Sequence, residues 1–319
     1  MIKLGMIAAA TYRATYAPED NPTLRPVSTH GAYFTTAFNG FDEARAKQYD
    51  CTFGVASKRV EGAKVVKLWD PEKEWAERLA DVCDVPEVCD THEECCEGVD
   101  AVVIADDGSG DQCQYAIHPL RKGVPTYCDK PLAMTGKRAQ EIADIVRETG
   151  TPFMSASSLR FVPDILALKA RVSELGEVSL ATTICGNELV YYGIHALSMY
   201  YGVFGGDSPA VSCLNVGQPD RNIVRVRYEN GRDLVLMVAE PEYARAGYQI
   251  NLYGTTGWES LVPNLEDLYV YLMERFMNLL RTGEESPPVE EEVEVIAVLE
   301  AGKRSLIEGR EVTIAEVLQ

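Results

Sequence analysis

Four short apolar runs in the first half of the chain, separated by helical patterns, constrain the fold most. Residues 3–9, 63–69, 100–105 and 124–128 are short, mostly apolar runs without regular alternation of polar positions. Such runs mark strands covered on both faces. The run at 63–69 ends at Asp70-Pro71 and gives way to a helix over 72–82. The run at 100–105 is followed by a polar turn at 106–111 and a helix over 112–122, closed by Gly123. Helices are also expected over 29–38 and 136–149; in the latter Ala139, Ile142 and Val146 recur at helical spacing and Gly150 is the stop. Strands separated by helices connect in parallel with one handedness, so the first half is expected to be a doubly wound parallel sheet.

The second half has a different grammar. Residues 177–185, 210–216, 222–228, 232–239 and 248–253 are β-rich and follow one another, with turns such as Glu229-Asn230-Gly231. Successive strands with hairpin turns indicate a mostly antiparallel sheet. Helices over 265–281 and 289–308 close the chain. At 319 residues the chain exceeds a typical single domain. The expected division is an α/β domain over 1–132 and an α+β domain with an open-faced sheet over 133–319. An open apolar sheet face needs cover, which points to a homo-oligomer.

Charge removes several function classes. With 30 basic and 49 acidic side chains the formal net charge is -19. That disfavours nucleic acid or an anionic membrane as partner and leaves a small-molecule substrate. No apolar stretch is long and clean enough to span a bilayer. Residues 4–10 resemble a signal-peptide core but read better as a first strand. Nine cysteines include no Cys-x-x-Cys pair and no zinc spacing, so no metal is expected. Free thiols fit a cytoplasmic location. The run Glu290 to Glu294 reads as a solvated helix start, where acids suit the helix dipole.

One corner carries chemistry. Asp129-Lys130-Pro131 stands between the run at 124–128 and the helix that Thr135 can cap. Proline turns Lys130 away from helical geometry. Two readings stay open: a solvated lysine on a strand-to-helix turn, or an ammonium aimed into a cleft.

These residues, with Arg160-Phe161-Val162-Pro163, Gly193-Ile194-His195, Tyr200 to Gly205 and the terminal Ala301-Gly302-Lys303-Arg304-Ser305, resemble the glucose–fructose oxidoreductase / inositol dehydrogenase family (Gfo/Idh/MocA). The resemblance covers most of the chain. It implies a Rossmann-like nucleotide domain, an open-faced sheet domain, and hydride exchange between a nicotinamide cofactor and a sugar, polyol or sugar-acid carbinol. It implies catalytic roles for Lys130 and His195, with Tyr191 one helical turn before the histidine, where many members have an aspartate. Cofactor contacts are expected from Ala8 and Arg13 after the first strand, from Asp70, from Ser109, and from Asp129 and Lys130. Asp70 would grip ribose hydroxyls and favour NAD over NADP. It is equally readable as an Asp-Pro turn. The family's Gly-x-Gly-x-x-Gly turn is absent: Gly5 is followed by Met6-Ile7-Ala8-Ala9-Ala10-Thr11. The proline-bearing stretch 11–28 supplies phosphate charge through Arg13 or Arg25, or is a plain surface insertion. Arg160 binds an anionic substrate or a carboxylate between the domains. The alternative to the enzyme is a family-shaped protein that has lost dinucleotide binding and serves as a binding or scaffold protein.

Overall fold

The computed structural model describes residues 1–13, 24–27, 29–106, 108–284 and 287–319. The chain forms two compact units, and neither is continuous in sequence. The first comprises Met1–Leu132, Ile142–Ser155 and Glu266–Val289; the second comprises Ala133–Glu141, Ala156–Leu265 and Glu290–Gln319. The expected boundary at 132/133 thus marks the end of the first unit's leading segment, to which later segments return.

The first unit begins with β1 (Ile2–Ile7), the hairpin β2 (Thr11–Arg13) and β3 (Leu24–Pro26), then α1 (His30–Asn39) and the short α2 (Glu43–Ala46). It continues through β4 (Ala63–Trp69), α3 (Lys73–Cys83), β5 (Glu87–Val88), β6 (Ala101–Ile104), α4 (Ile117–Arg121), β7 (Thr126–Cys128), the part of α5 (Gly136–Thr149) from Ile142 onward, and β8 (Phe153–Met154). Six strands form one parallel sheet in the order β5-β4-β1-β6-β7-β8. This is the doubly wound order, with its switch point between β1 and β6, where ligands of such sheets bind at the carboxyl ends. β6 is buried at every residue, as its unbroken apolar run requires. α1 starts at Thr29, whose hydroxyl accepts from the Ala32 amide, and helical spacing in α3 buries Ala76, Leu79 and Val82.

The second unit contains α6 (Pro163–Arg171), β9 (Val178–Gly186), α7 (Gly193–Phe204), β10 (Ala210–Asn215), β11 (Arg221–Tyr228), β12 (Asp233–Ala239), β13 (Gln249–Gly254) and β14 (Trp258–Leu261). α8 (Leu268–Thr282) then belongs to the first unit, and α9 (Val289–Glu308), β15 (Val312–Thr313) and α10 (Ile314–Leu318) close the chain. Its sheet runs β14-β13-β9-β12-β11-β10-β15, antiparallel except for the β9–β12 pair. β11 alternates strictly between exposed and buried residues, so one face is covered and the other is open. Among the described residues no helix is long and apolar enough to cross a membrane. All nine cysteines are free.

The acidic run at the start of α9 corrects the sequence expectation. Glu292 is only 1% exposed, and Glu294 accepts from the Tyr201 hydroxyl at 2.5 Å and the Ala210 amide at 3.0 Å. The helix turns these acids inward, toward partners that local charge cannot reveal. Arg160 is one of them. Its guanidinium pairs with Glu291 and lies 3.6 Å from Glu292, so it is committed to carboxylates of its own unit.

Candidate active site

In the first unit β7 delivers Asp129 and Lys130 to the carboxyl end of the parallel sheet. Asp129 anchors this corner. It is 1% exposed; its Oδ1 accepts from the Tyr127 hydroxyl and from the Lys130 amide, each at 2.9 Å. Its Oδ2 lies 2.5 Å from Nδ1 of His30. Nδ1 is then the donor, and Nε2 lies 2.9 Å from the Tyr269 hydroxyl. Burial pushes the Asp129 pKa up, but His30 and Lys130 beside it outweigh that and hold the carboxyl below its ordinary range. The Gln112 side-chain amide donates to the carbonyls of Asp129 and Pro131. Lys130 itself is 7% exposed, and its ammonium has no hydrogen-bond or ion-pair partner among the described residues. An ammonium with unused donors at this end of the sheet is suited to an electron-rich ligand oxygen.

The corner after β1 shows how the chain manages without the glycine fingerprint. Ala8 adopts φ 53°, a left-handed conformation that a glycine would take more easily. The tight helix–strand approach falls instead to Gly31 in α1. A Cβ there would lie 2.5 Å from the Ala9 carbonyl oxygen. The Thr29 hydroxyl donates to that same carbonyl at 2.9 Å. Thus the β2–β3 hairpin is inserted between the strand and the glycine that packs the helix onto it. The parallel sheet, the α1 start and this close contact form a frame that fits a dinucleotide.

Asp70 sits at the carboxyl end of β4, 3% exposed. Its Oδ2 accepts from the amides of Ala10 at 2.7 Å and Thr11 at 2.9 Å. Its Oδ1 accepts from the Thr11 hydroxyl and from the Glu72 amide. Burial raises its pKa and these donors pull it back part of the way. Ser109 lies in a turn held by Asp106, whose Oδ1 accepts from the amides of Gly108 and Ser109; the Ser109 hydroxyl accepts from the Asp111 amide at 3.3 Å. Arg13 ends β2, and its side chain, like that of Arg25, lies outside the described residues.

In the second unit His195 is in the first turn of α7, half-buried. Its Nδ1 lies 2.7 Å from the Ser157 hydroxyl, and the rings of Tyr192 and Tyr248 meet it at 6.1 and 5.6 Å. Tyr191 is buried in the turn before the helix, its amide donating to Glu188 at 2.8 Å. Glu188 also accepts from the Val190 amide, so it caps this turn. Sequence reasoning passed over His30, Tyr269, Ser157 and Tyr248. A signal existed for Ser157 alone, three positions before the Arg-Phe-x-Pro motif.

Residues 42–157 match the family model described as an oxidoreductase family with an NAD-binding Rossmann fold, Gfo/Idh/MocA. Over that stretch the chain is similar to this family. Two relatives are trans-1,2-dihydrobenzene-1,2-diol dehydrogenase of Danio rerio and inositol 2-dehydrogenase 2 of Saccharopolyspora erythraea. The first is 24% identical over 60% of this chain and 65% of its own length. The second is 29% identical over 44% of this chain and 38% of its own. The match therefore spans less than two thirds of either curated relative. The crystal structure of myo-inositol dehydrogenase from Lactobacillus casei, in complex with NAD(H) and myo-inositol, shares the fold with a TM-score of 0.77. It is 15% identical and covers 98% of this chain and 96% of that one. Ala8, the β2–β3 hairpin and Tyr191 lie outside the matched stretch and are where this chain departs from the pattern its motifs resemble.

Proposed function

We propose that this protein is a nicotinamide-dependent dehydrogenase acting on a carbinol carbon of a sugar, polyol or sugar acid. The observation that carries the proposal is the Lys130 side chain, 7% exposed at the carboxyl end of the parallel sheet beside Asp129, its ammonium in no hydrogen bond or ion pair with a described residue. A bound nicotinamide supplies the hydride acceptor. Lys130 binds the substrate oxygen and stabilises the negative charge that grows on it as its proton leaves. His195 takes that proton. With Ser157 as acceptor for its Nδ1–H, the imidazole keeps its lone pair on Nε2, as a base requires. Asp129 holds the Lys130 backbone, and His30 and Tyr269 hold Asp129.

Ser157→Ala is expected to lower kcat about tenfold with little change in KM. A hydrogen bond that fixes a tautomer contributes on the order of 1 kcal/mol. An unchanged kcat would remove Ser157 from the site.

A carboxylate at the position of Asp70 favours NAD, because it repels a 2′-phosphate. Titrating NADH and NADPH against intrinsic fluorescence should give micromolar binding of NADH and at least tenfold weaker binding of NADPH. The engagement of Asp70 by the protein's own donors favours a second reading, a scaffold that has lost dinucleotide binding. No response to either nucleotide at millimolar concentration would support the scaffold and end the dehydrogenase reading.

A further inference from the structure

An ionised carboxylate offers about four acceptor sites. At Asp70 four donors from the chain occupy them: the amides of Ala10, Thr11 and Glu72, and the Thr11 hydroxyl. Thr11 alone supplies two of these. A ribose diol needs two acceptor sites on the same carboxylate. The protein therefore presents Asp70 to its own corner with the kind of contacts a nucleotide would make. We infer that Thr11 competes with the nucleotide ribose for Asp70, so that Thr11 is an affinity-determining residue of the nucleotide site. This rests on the dinucleotide reading above.

Several features of the corner agree with it. Thr11 opens β2, and its register partner in β3 is Pro26. Next to that pair the Val27 amide donates to the Ala10 carbonyl at 2.7 Å. The hairpin base thus holds the Thr11 donors beside Asp70. The Glu72 amide comes from the turn that follows Asp70, and it can stay bonded while Thr11 is exchanged for ribose. A binding-competent state that is only fractionally populated lowers apparent affinity by that fraction. Removing one charge-assisted donor shifts the balance toward the ligand by about tenfold or more.

The test compares ADP with 2′,3′-dideoxy-ADP, by calorimetry, on the full-length wild type, Thr11→Val and Thr11→Ser. In the wild type the two nucleotides should bind within about threefold of each other, because Asp70 is already occupied. Thr11→Val should bind ADP about tenfold more tightly than the wild type and should prefer it over the dideoxy form. Thr11→Ser, which keeps the hydroxyl, should behave as the wild type. Free Thr11→Val should melt below the wild type and gain more from added ADP.

A wild type that already prefers ADP tenfold over dideoxy-ADP overturns the inference, even if no variant folds, and leaves the dehydrogenase reading intact. So does a folded Thr11→Val with unchanged or weaker ADP affinity. ADP binding by Thr11→Val alone supports the inference while removing the dehydrogenase reading for the wild type. If neither protein binds ADP or NADH, both fail together.

Discussion

Lys130→Ala is expected to cut turnover by roughly a hundred- to a thousandfold while leaving the folded protein as stable as before. The first half follows from the role proposed for the ammonium. One group that stabilises charge on the reacting oxygen is typically worth about 3 kcal/mol in the transition state. The second half follows from its surroundings. The side chain is 7% exposed, and its ammonium makes no hydrogen bond or ion pair with a described residue. Removing the side chain breaks no hydrogen bond or ion pair among the described residues and forfeits only its attraction to the Asp129 carboxylate. The backbone anchor remains, since Asp129 accepts from the Lys130 amide whatever the side chain. Steady-state kinetics with NAD and a panel of polyols, together with a thermal melt, check both halves. A variant that keeps normal kcat, or one that melts several degrees lower, means that Lys130 serves the structure instead.

The second large effect is a loss of stability as pH rises, centred on Glu292. Burial pushes this carboxyl up to about 8, with Arg160 opposing the shift and Glu291 adding to it. Both carboxyl oxygens lack a hydrogen-bond partner among the described residues, and Arg160 Nη1 is 3.6 Å away. A group whose folded pKa is raised contributes its stability in full below the unfolded value near 4.5, and loses it as pH climbs through the folded value. Each unit of displacement corresponds to about 1.4 kcal/mol. The wild type should therefore lose about 2–4 kcal/mol between pH 5 and 9 from this group. Glu292→Gln keeps the shape and cannot ionise, so it should flatten that part of the curve and be the more stable protein at pH 9. Urea midpoints of both proteins at the two pH values measure the difference. Parallel pH curves would show that Glu292 is ionised throughout and paired with Arg160.

The architecture was largely legible because its signals are local. β4 at Ala63–Trp69, α5 at Gly136–Thr149 and α9 at Val289–Glu308 fall where apolar periodicity puts them. α6 was passed over although Pro163 stands at its first turn, where proline suits a helix start. β14 was passed over because exposed and half-buried residues alternate along it, leaving no strong apolar face to read.

What the sequence determined by itself is the parallel sheet, the open antiparallel one, and the placement of Lys130 and His195 at the ends of regular elements. Apolar spacing and turn residues specify these over a few positions of chain. Only the tertiary structure decided the partners. His30 reaches Asp129 across 99 positions and Tyr269 reaches His30 across 239. Glu292 is drawn inside by a helix whose first turn reads as a solvated acidic face. Asp70 closes on Ala10 and Thr11. A polar group taken from water must find a donor or acceptor wherever the folded chain brings one, and that choice depends on three-dimensional neighbours, which periodicity does not encode.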